Sequence, residues 1–266
     1  MKKTLYSLLF LLFLGTFSIS VWKVGSYFTG SARQKEKFDT LSQLHDSVTT
    51  VPTTATEPVI LETEGPESTA PTQPGILPEL EALHALNSDL VGWLSIPDTV
   101  IDYPVMQTPD QPDFYLNRDF DGEYSIQGCL YAEEECDIAA PSDNVTIYGH
   151  CMQDRSMFAE LDGYLKQEFW ETHDTIRFDS LTERRSYKIF AVFKTTASMG
   201  QGFAYHTLVD AAHPEEFNSF IYQCKALAFY DTGITPEYGD KIICLSTCEY
   251  TQDNGRLVVA AVLEKS

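Results

Sequence analysis

Three short segments carry residue types that can do chemistry. Thr146-Ile147-Tyr148-Gly149-His150 is a β-rich run ending in a Gly-His turn. An imidazole at a strand end reaches a cleft while its backbone stays fixed, which suits a general acid or base. Ile242-Ile243-Cys244-Leu245-Ser246-Thr247-Cys248 reads as a buried strand that delivers a cysteine at its end. Cys244 fits a small core hydrophobe, whereas Cys248 leaves the strand beside Ser246, Thr247 and Glu249, a setting for a partly exposed thiol nucleophile. Arg256 opens the last strand after the turn Gln252-Asp253-Asn254-Gly255. If Thr247 and Leu257 lie on neighbouring strands of a hairpin, Arg256 sits across from Cys248. A permanent guanidinium there favours the thiolate and can bond a developing oxyanion. Each residue alone has an ordinary counterpart: a structural strand-end histidine, a packed thiol, an edge-strand arginine in an ion pair. Their combination is less ordinary.

The elements that must position them are short. β-rich runs separated by turn signals fall at 92–96, 100–106, 127–132, 144–148, 175–179, 186–195, 241–247 and 257–263. Eight strands with little room for regular crossover helices predict a mostly antiparallel barrel or sandwich. One clear helix interrupts them. Pro214, Glu215 and Glu216 mark its first turn, Phe217, Phe220, Ile221, Cys224 and Leu227 make one apolar stripe, and Asp231-Thr232-Gly233 ends it. A smaller helix is expected around 157–164. Leu80, Leu83, Leu86 and Leu90 predict another that ends near 87–89.

The 266 residues carry 18 Lys/Arg against 39 Asp/Glu, a formal charge of −21. Six of the cations lie in residues 1–37, so residues 38–266 stand at −26. So acidic a surface repels phosphate backbones, which argues against nucleic acid as a partner. The six cysteines are too irregularly spaced for a disulfide scaffold, and the absence of CxxC pairs and HxxxH clusters argues against a metal site.

Residues 5–22 are uncharged and would span about 27 Å as a helix, close to a bilayer's hydrocarbon thickness. An uncleaved membrane anchor over 1–31 is favoured over a cleaved signal peptide, because the apolar run continues through Val21, Trp22 and Val24. Residues 34–46 fit a short amphipathic helix, with Phe38, Leu41 and Leu44 at helical spacing. From 47 to 78, Thr, Pro, Glu and Ser dominate, a composition expected to form an extended stalk. The expected organisation is therefore an anchor (1–31), a short helix and stalk (32–78) and a folded domain (79–266).

Tyr-Gly-His, then Leu-Ser-Thr-Cys about a hundred residues later, then Arg eight positions on, resembles the signature of sortases. Asn87-Ser88-Asp89-Leu90-Val91-Gly92-Trp93-Leu94 and Asp102-Tyr103-Pro104-Val105-Met106-Gln107 resemble the family's opening strands. Ser156-Met157-Phe158 resembles its histidine segment, and Cys248-Glu249-Tyr250 with Asn254-Gly255-Arg256-Leu257-Val258-Val259 resembles its end. The helix at 214–228 and the N-terminal helices point to class B. Two positions depart from the pattern: Cys151 and Pro112 stand where asparagine is expected.

The resemblance implies an eight-stranded sortase-type β-barrel with N-terminal helices and a long helix between the sixth and seventh strands. It implies a cysteine transpeptidase outside the cell membrane that needs no cofactor. Cys248 would attack a Thr carbonyl in a C-terminal sorting motif of a surface protein. An amine of a peptidoglycan cross-bridge or its lipid-linked precursor would then take the acyl group. His150 would move the protons, and Arg256 would stabilise the oxyanion. By similarity Leu116, Tyr148, Tyr205, Ser246, Thr247 and Glu249 are candidates for the substrate groove. The rivals are an extracellular cysteine peptidase using the same three residues and a non-catalytic surface binding domain that kept the barrel.

Overall fold

The β-rich runs become eight strands: β1 (Leu90–Ser95), β2 (Asp102–Met106), β3 (Leu130–Ala132), β4 (Asn144–Tyr148), β5 (Thr175–Ser180), β6 (Arg184–Thr196), β7 (Ile242–Glu249) and β8 (Gly255–Leu263). They close into a barrel in the order β1-β2-β3-β4-β7-β8-β6-β5, in a computed structural model that describes residues 2–49, 75–198 and 200–265. Closure leaves no unpaired sheet edge. Six of the neighbouring pairs are antiparallel, as expected from the short connections, but β2–β3 and β4–β7 are parallel. The barrel is thus mixed, and the second of these parallel pairs builds the site.

Alternation along the strands fills the barrel with Leu94, Val105, Leu130, Ile147, Ile176, Leu245 and Val259, all buried in one cluster. Helices α1 (Lys2–Thr49), α2 (Pro78–Leu86), α3 (Gln167–Trp170) and α4 (Pro214–Leu227) pack outside. The stripe Phe217, Phe220, Ile221 and Cys224 of α4 lies on the outer face of β6, β7 and β8 and forms a second cluster with Phe193, Cys244 and Val258. This explains why those strands read as nearly continuous apolar runs: both of their faces are covered. At the start of α4, Pro214 occupies the first turn and the His213 side chain accepts from the Glu216 N–H. The smaller helix expected around 157–164 is a 3₁₀ helix, Phe158–Leu165.

The N-terminal region differs from expectation. The anchor and the amphipathic helix are one unbroken helix, α1, because no proline interrupts residues 2–49. Its first part exposes Phe10, Leu11, Leu12, Phe13, Phe17, Val21 and Trp22. Its last part docks on the barrel, burying Gln34, Phe38 and Leu41. Lys37 there bridges Asp119 and Asp121, each at 2.6 Å, and Ser31 donates to Asp154 at 2.5 Å. Residues 31–41 thus pack with the folded domain, ahead of its expected start at 79. Of the expected stalk, residues 50–74 lie outside the described residues. α2 ends at Leu86, so Leu80 and Leu83 are buried on the helix, Leu86 is exposed and Leu90 is buried on β1 instead.

Candidate active site

Parallel pairing brings the histidine and the cysteine together. β4 and β7 run in register from Asn144 opposite Ile242 to Tyr148 opposite Ser246, so both emerge at the same end of the barrel. His150 and Cys248 each lie two residues beyond that last pair. The strand ends are fastened there: the Gly149 N–H donates to the Ser246 carbonyl at 3.1 Å, and the Thr247 hydroxyl donates to the Gly149 carbonyl at 2.7 Å. Gly149 must be glycine for this approach, since a Cβ would collide with Leu130 and Phe158. The β7–β8 hairpin then sets Cys248 directly opposite Arg256, as the turn at 252–255 led us to expect.

His150, Cys248 and Arg256 line one cleft of 340 Å³, together with Leu116, Tyr148, Tyr205, Ser246 and Thr247. A larger hollow of 490 Å³, walled by Val91, Gln107, Cys136 and Leu181, holds none of the three. The chemistry of the lining, not its size, selects the smaller one. Tyr205 and Ser246 are buried in the wall, with their hydroxyl oxygens 2.5 Å apart. Glu249 is the exception among the expected groove residues. It is absent from the lining and its carboxylate is engaged by Lys194 on β6, with Nζ–H donating to Oε1 at 2.8 Å. Burial opposes ionisation of Glu249, but bonds from Lys194 and Thr251 outweigh it and hold its carboxyl below the usual range.

Arg256 does not have the ordinary structural setting of an edge-strand arginine in an ion pair. β8 lies between β7 and β6, so Arg256 is not on an edge. Among the described residues it makes no ion pair; Nη1 donates to the carbonyls of Asn254 (3.3 Å) and Gly255 (3.0 Å). Cys248 is a free thiol, half-buried at the rim. His150 holds Nε2 at 2.7 Å from the Leu116 carbonyl. A carbonyl can only accept, so Nε2 carries a proton and Nδ1 is the nitrogen left without that partner. Cys151 is also free and half-buried; burial, Asp162 and the nearby Cys248 push its thiol up.

Several lining residues escaped sequence reasoning: Asp113, Tyr131, Glu133, Glu134 and His206. Nothing in their local sequence distinguishes them, since loops, a three-residue strand and a short 3₁₀ helix (Tyr205–Thr207) bring them in. Glu133 accepts a hydrogen bond from the Tyr148 hydroxyl, and burial raises its carboxyl to about 7. The unfolded chain therefore releases this proton first as the pH rises, so Glu133 lowers stability progressively between about pH 4.5 and about pH 7. Glu133→Gln is expected to remove that part of the slope, measured by urea unfolding at about pH 5 and about pH 8. Burial, offset in part by Ser246 and Arg256, pushes the Tyr205 hydroxyl up to about 12. Burial and then Arg256 lower His206, so the positive charge of Arg256 is felt across the cleft.

Comparison with known proteins places this geometry. Residues 94–264 match the family model described as the sortase domain. Sortase B of Staphylococcus aureus is 31% identical over 195 residues, 73% of this chain and 78% of the relative. Sortase B of Listeria monocytogenes is 34% identical over 187 residues, 70% of this chain and 74% of the relative. The solved Staphylococcus aureus sortase B–substrate complex matches with a TM-score of 0.73 at 26% identity, covering 89% of this chain and 99% of that one.

Proposed function

The chain belongs to the sortase family, in class B, and from that premise we propose that it is a membrane-anchored transpeptidase joining surface proteins to the cell wall. The observation that carries this reading is the meeting of His150, Cys248 and Arg256 on one cleft through the parallel β4–β7 pair and the β7–β8 hairpin. The Cys248 thiol gives its proton to His150, and the resulting thiolate adds to the carbonyl carbon of a Thr in a C-terminal sorting motif. Arg256 and the main chain at Thr247 stabilise the oxyanion. The C–N bond then breaks as the His150 imidazolium protonates the leaving amine, and a thioester remains. With Nε2 engaged by Leu116, Nδ1 is the nitrogen free to exchange that proton. A peptidoglycan amine attacks the thioester, gives its proton to His150 and expels the Cys248 thiolate. Two acyl transfers conserve the amide bond's energy, so no nucleotide is consumed. Leu116, Tyr148, Tyr205, Ser246 and Thr247 form the walls along which the motif lies.

Anchoring is supported by the exposed apolar part of α1, which is long enough to cross a bilayer. Because the same helix docks on the barrel from Gln34 onward, it would tether the folded domain directly to the membrane, where both substrates arrive. Product analysis tests the reaction. Incubated with Thr-containing sorting peptides, the enzyme is expected to release the downstream tail and to yield a ligated product only when an amine acceptor is present. A product spectrum of free acid alone, unchanged by any amine, would assign a peptidase instead.

A further inference from the structure

Leu116, whose carbonyl holds His150, sits on a single 3₁₀ turn, Phe114–Asn117, in the connection between β2 and β3. Such a turn has little stability of its own. It starts at Asp113, which adopts a left-handed conformation (φ 58°) and accepts at Oδ1 from the Tyr131 hydroxyl at 2.7 Å. Tyr131 is buried on β3, opposite Tyr148 of β4, and β4 leads two residues later to His150. The contacts close a circuit: Tyr131 to Asp113, Asp113 through the turn to the Leu116 carbonyl, Leu116 to His150 Nε2, and back along β4 to Tyr131. The turn's other face is tied separately, by the Tyr115 hydroxyl donating to Asp89 at 2.8 Å and by Cys129 N–H donating to the Tyr115 carbonyl at 3.0 Å. Those bonds fix the turn to the body of the domain. Among the described residues, the Tyr131–Asp113 bond is the side-chain tie between its leading end and the strand pair that carries the histidine, beside the main-chain bond from Cys129 just ahead of β3.

We propose that Asp113 and Tyr131 are positioning residues for His150, acting through the Leu116 carbonyl to fix the ring's orientation and its Nε2–H tautomer. This rests on the transpeptidase reading only in making His150 the group whose orientation matters. Burial and the hydrogen bond to Asp113 push the Tyr131 hydroxyl up, so the proton stays on Tyr131 and the bond keeps its direction. The role requires an acceptor at position 113 rather than a negative charge, which separates it from substrate attraction.

Four variants of the full chain test it: Tyr131→Phe, Asp113→Ala, Asp113→Asn and the double Asp113→Ala/Tyr131→Phe. Tyr131→Phe and Asp113→Ala are each expected to lower kcat for acyl-enzyme formation about tenfold with KM within about twofold. Asp113→Asn keeps an acceptor oxygen and should retain kcat within about twofold, and the double variant should be no worse than either single. Long-range proton–nitrogen NMR of His150 should show one Nε2–H tautomer in the parent and in Asp113→Asn, and a mixture in the two damaging singles. A parent-like kcat and His150 spectrum in Tyr131→Phe would overturn the proposal. So would a loss in Asp113→Asn equal to that in Asp113→Ala, or a rise in KM without a fall in kcat. If the parent itself acylates no sorting peptide, the transpeptidase reading fails, and the NMR comparison still decides whether these residues hold His150.

Discussion

Cys248→Ala is expected to abolish turnover while leaving the barrel folded. The thiol is half-buried at the rim, free, and contributes little to either apolar cluster, unlike Cys244, which is fully buried beneath α4. Truncation therefore removes the proposed nucleophile without opening a core cavity. Covalent catalysis has no substitute path in this cleft, because the other nearby thiol, Cys151, follows His150 instead of facing Arg256 across the hairpin. Removing a nucleophile from such a constellation typically costs on the order of 10⁴-fold or more in kcat. Circular dichroism and a thermal midpoint matching the parent would establish the intact fold. Turnover surviving in this variant would refute the assignment of Cys248.

Arg256→Lys is the second large effect. The guanidinium sits opposite Cys248, donates to two main-chain carbonyls through Nη1 and makes no ion pair among the described residues. Its remaining donors are directed by a planar fork that an ammonium cannot reproduce. Lysine keeps the charge but not the two-point geometry, so kcat should fall about 10²-fold while KM changes little, as for loss of an oxyanion donor. Steady-state kinetics on a fluorogenic sorting peptide measures this. An equal fall for Arg256→Lys and Arg256→Ala would show that geometry, not charge, is what the reaction uses. Full activity in Arg256→Lys would reduce the role of Arg256 to electrostatic attraction.

Much of the frame is legible in the sequence, because strand length, alternation and turn chemistry are local. The turn at 252–255 with apolar runs on either side specifies a hairpin, and the hairpin alone places Arg256 across from Cys248. The stripe on α4 and its Pro214 start are equally local. What brings His150 to Cys248 is not local: β4 and β7 pair in parallel across about a hundred residues, and no property of either segment names its partner. Only the resemblance of motifs links the two segments at the level of sequence. Glu249 shows the same limit. It follows Cys248 directly, yet its carboxylate is taken up by Lys194 of β6, a partner between strands that the local sequence does not name. The apolar face of Phe38 and Leu41 is legible in the sequence, but that it docks on the barrel is not, since only tertiary contact distinguishes a packed helix from a tether. Asp113, Tyr131 and Glu133 were hidden because their importance lies in hydrogen bonds between segments, at Asp113–Tyr131 and Glu133–Tyr148.

The central claim is that Cys248 forms a thioester with a threonine carbonyl, and intact-mass spectrometry addresses it most directly. The protein would be mixed with a panel of Thr-containing sorting peptides and quenched in acid before any amine is added. The account predicts one added acyl fragment, mapped to Cys248 by peptide digestion and lost within a turnover when an amine is supplied. Unmodified protein with every peptide, while Cys248 still alkylates readily, would contradict it, and so would an acyl group found on Cys151.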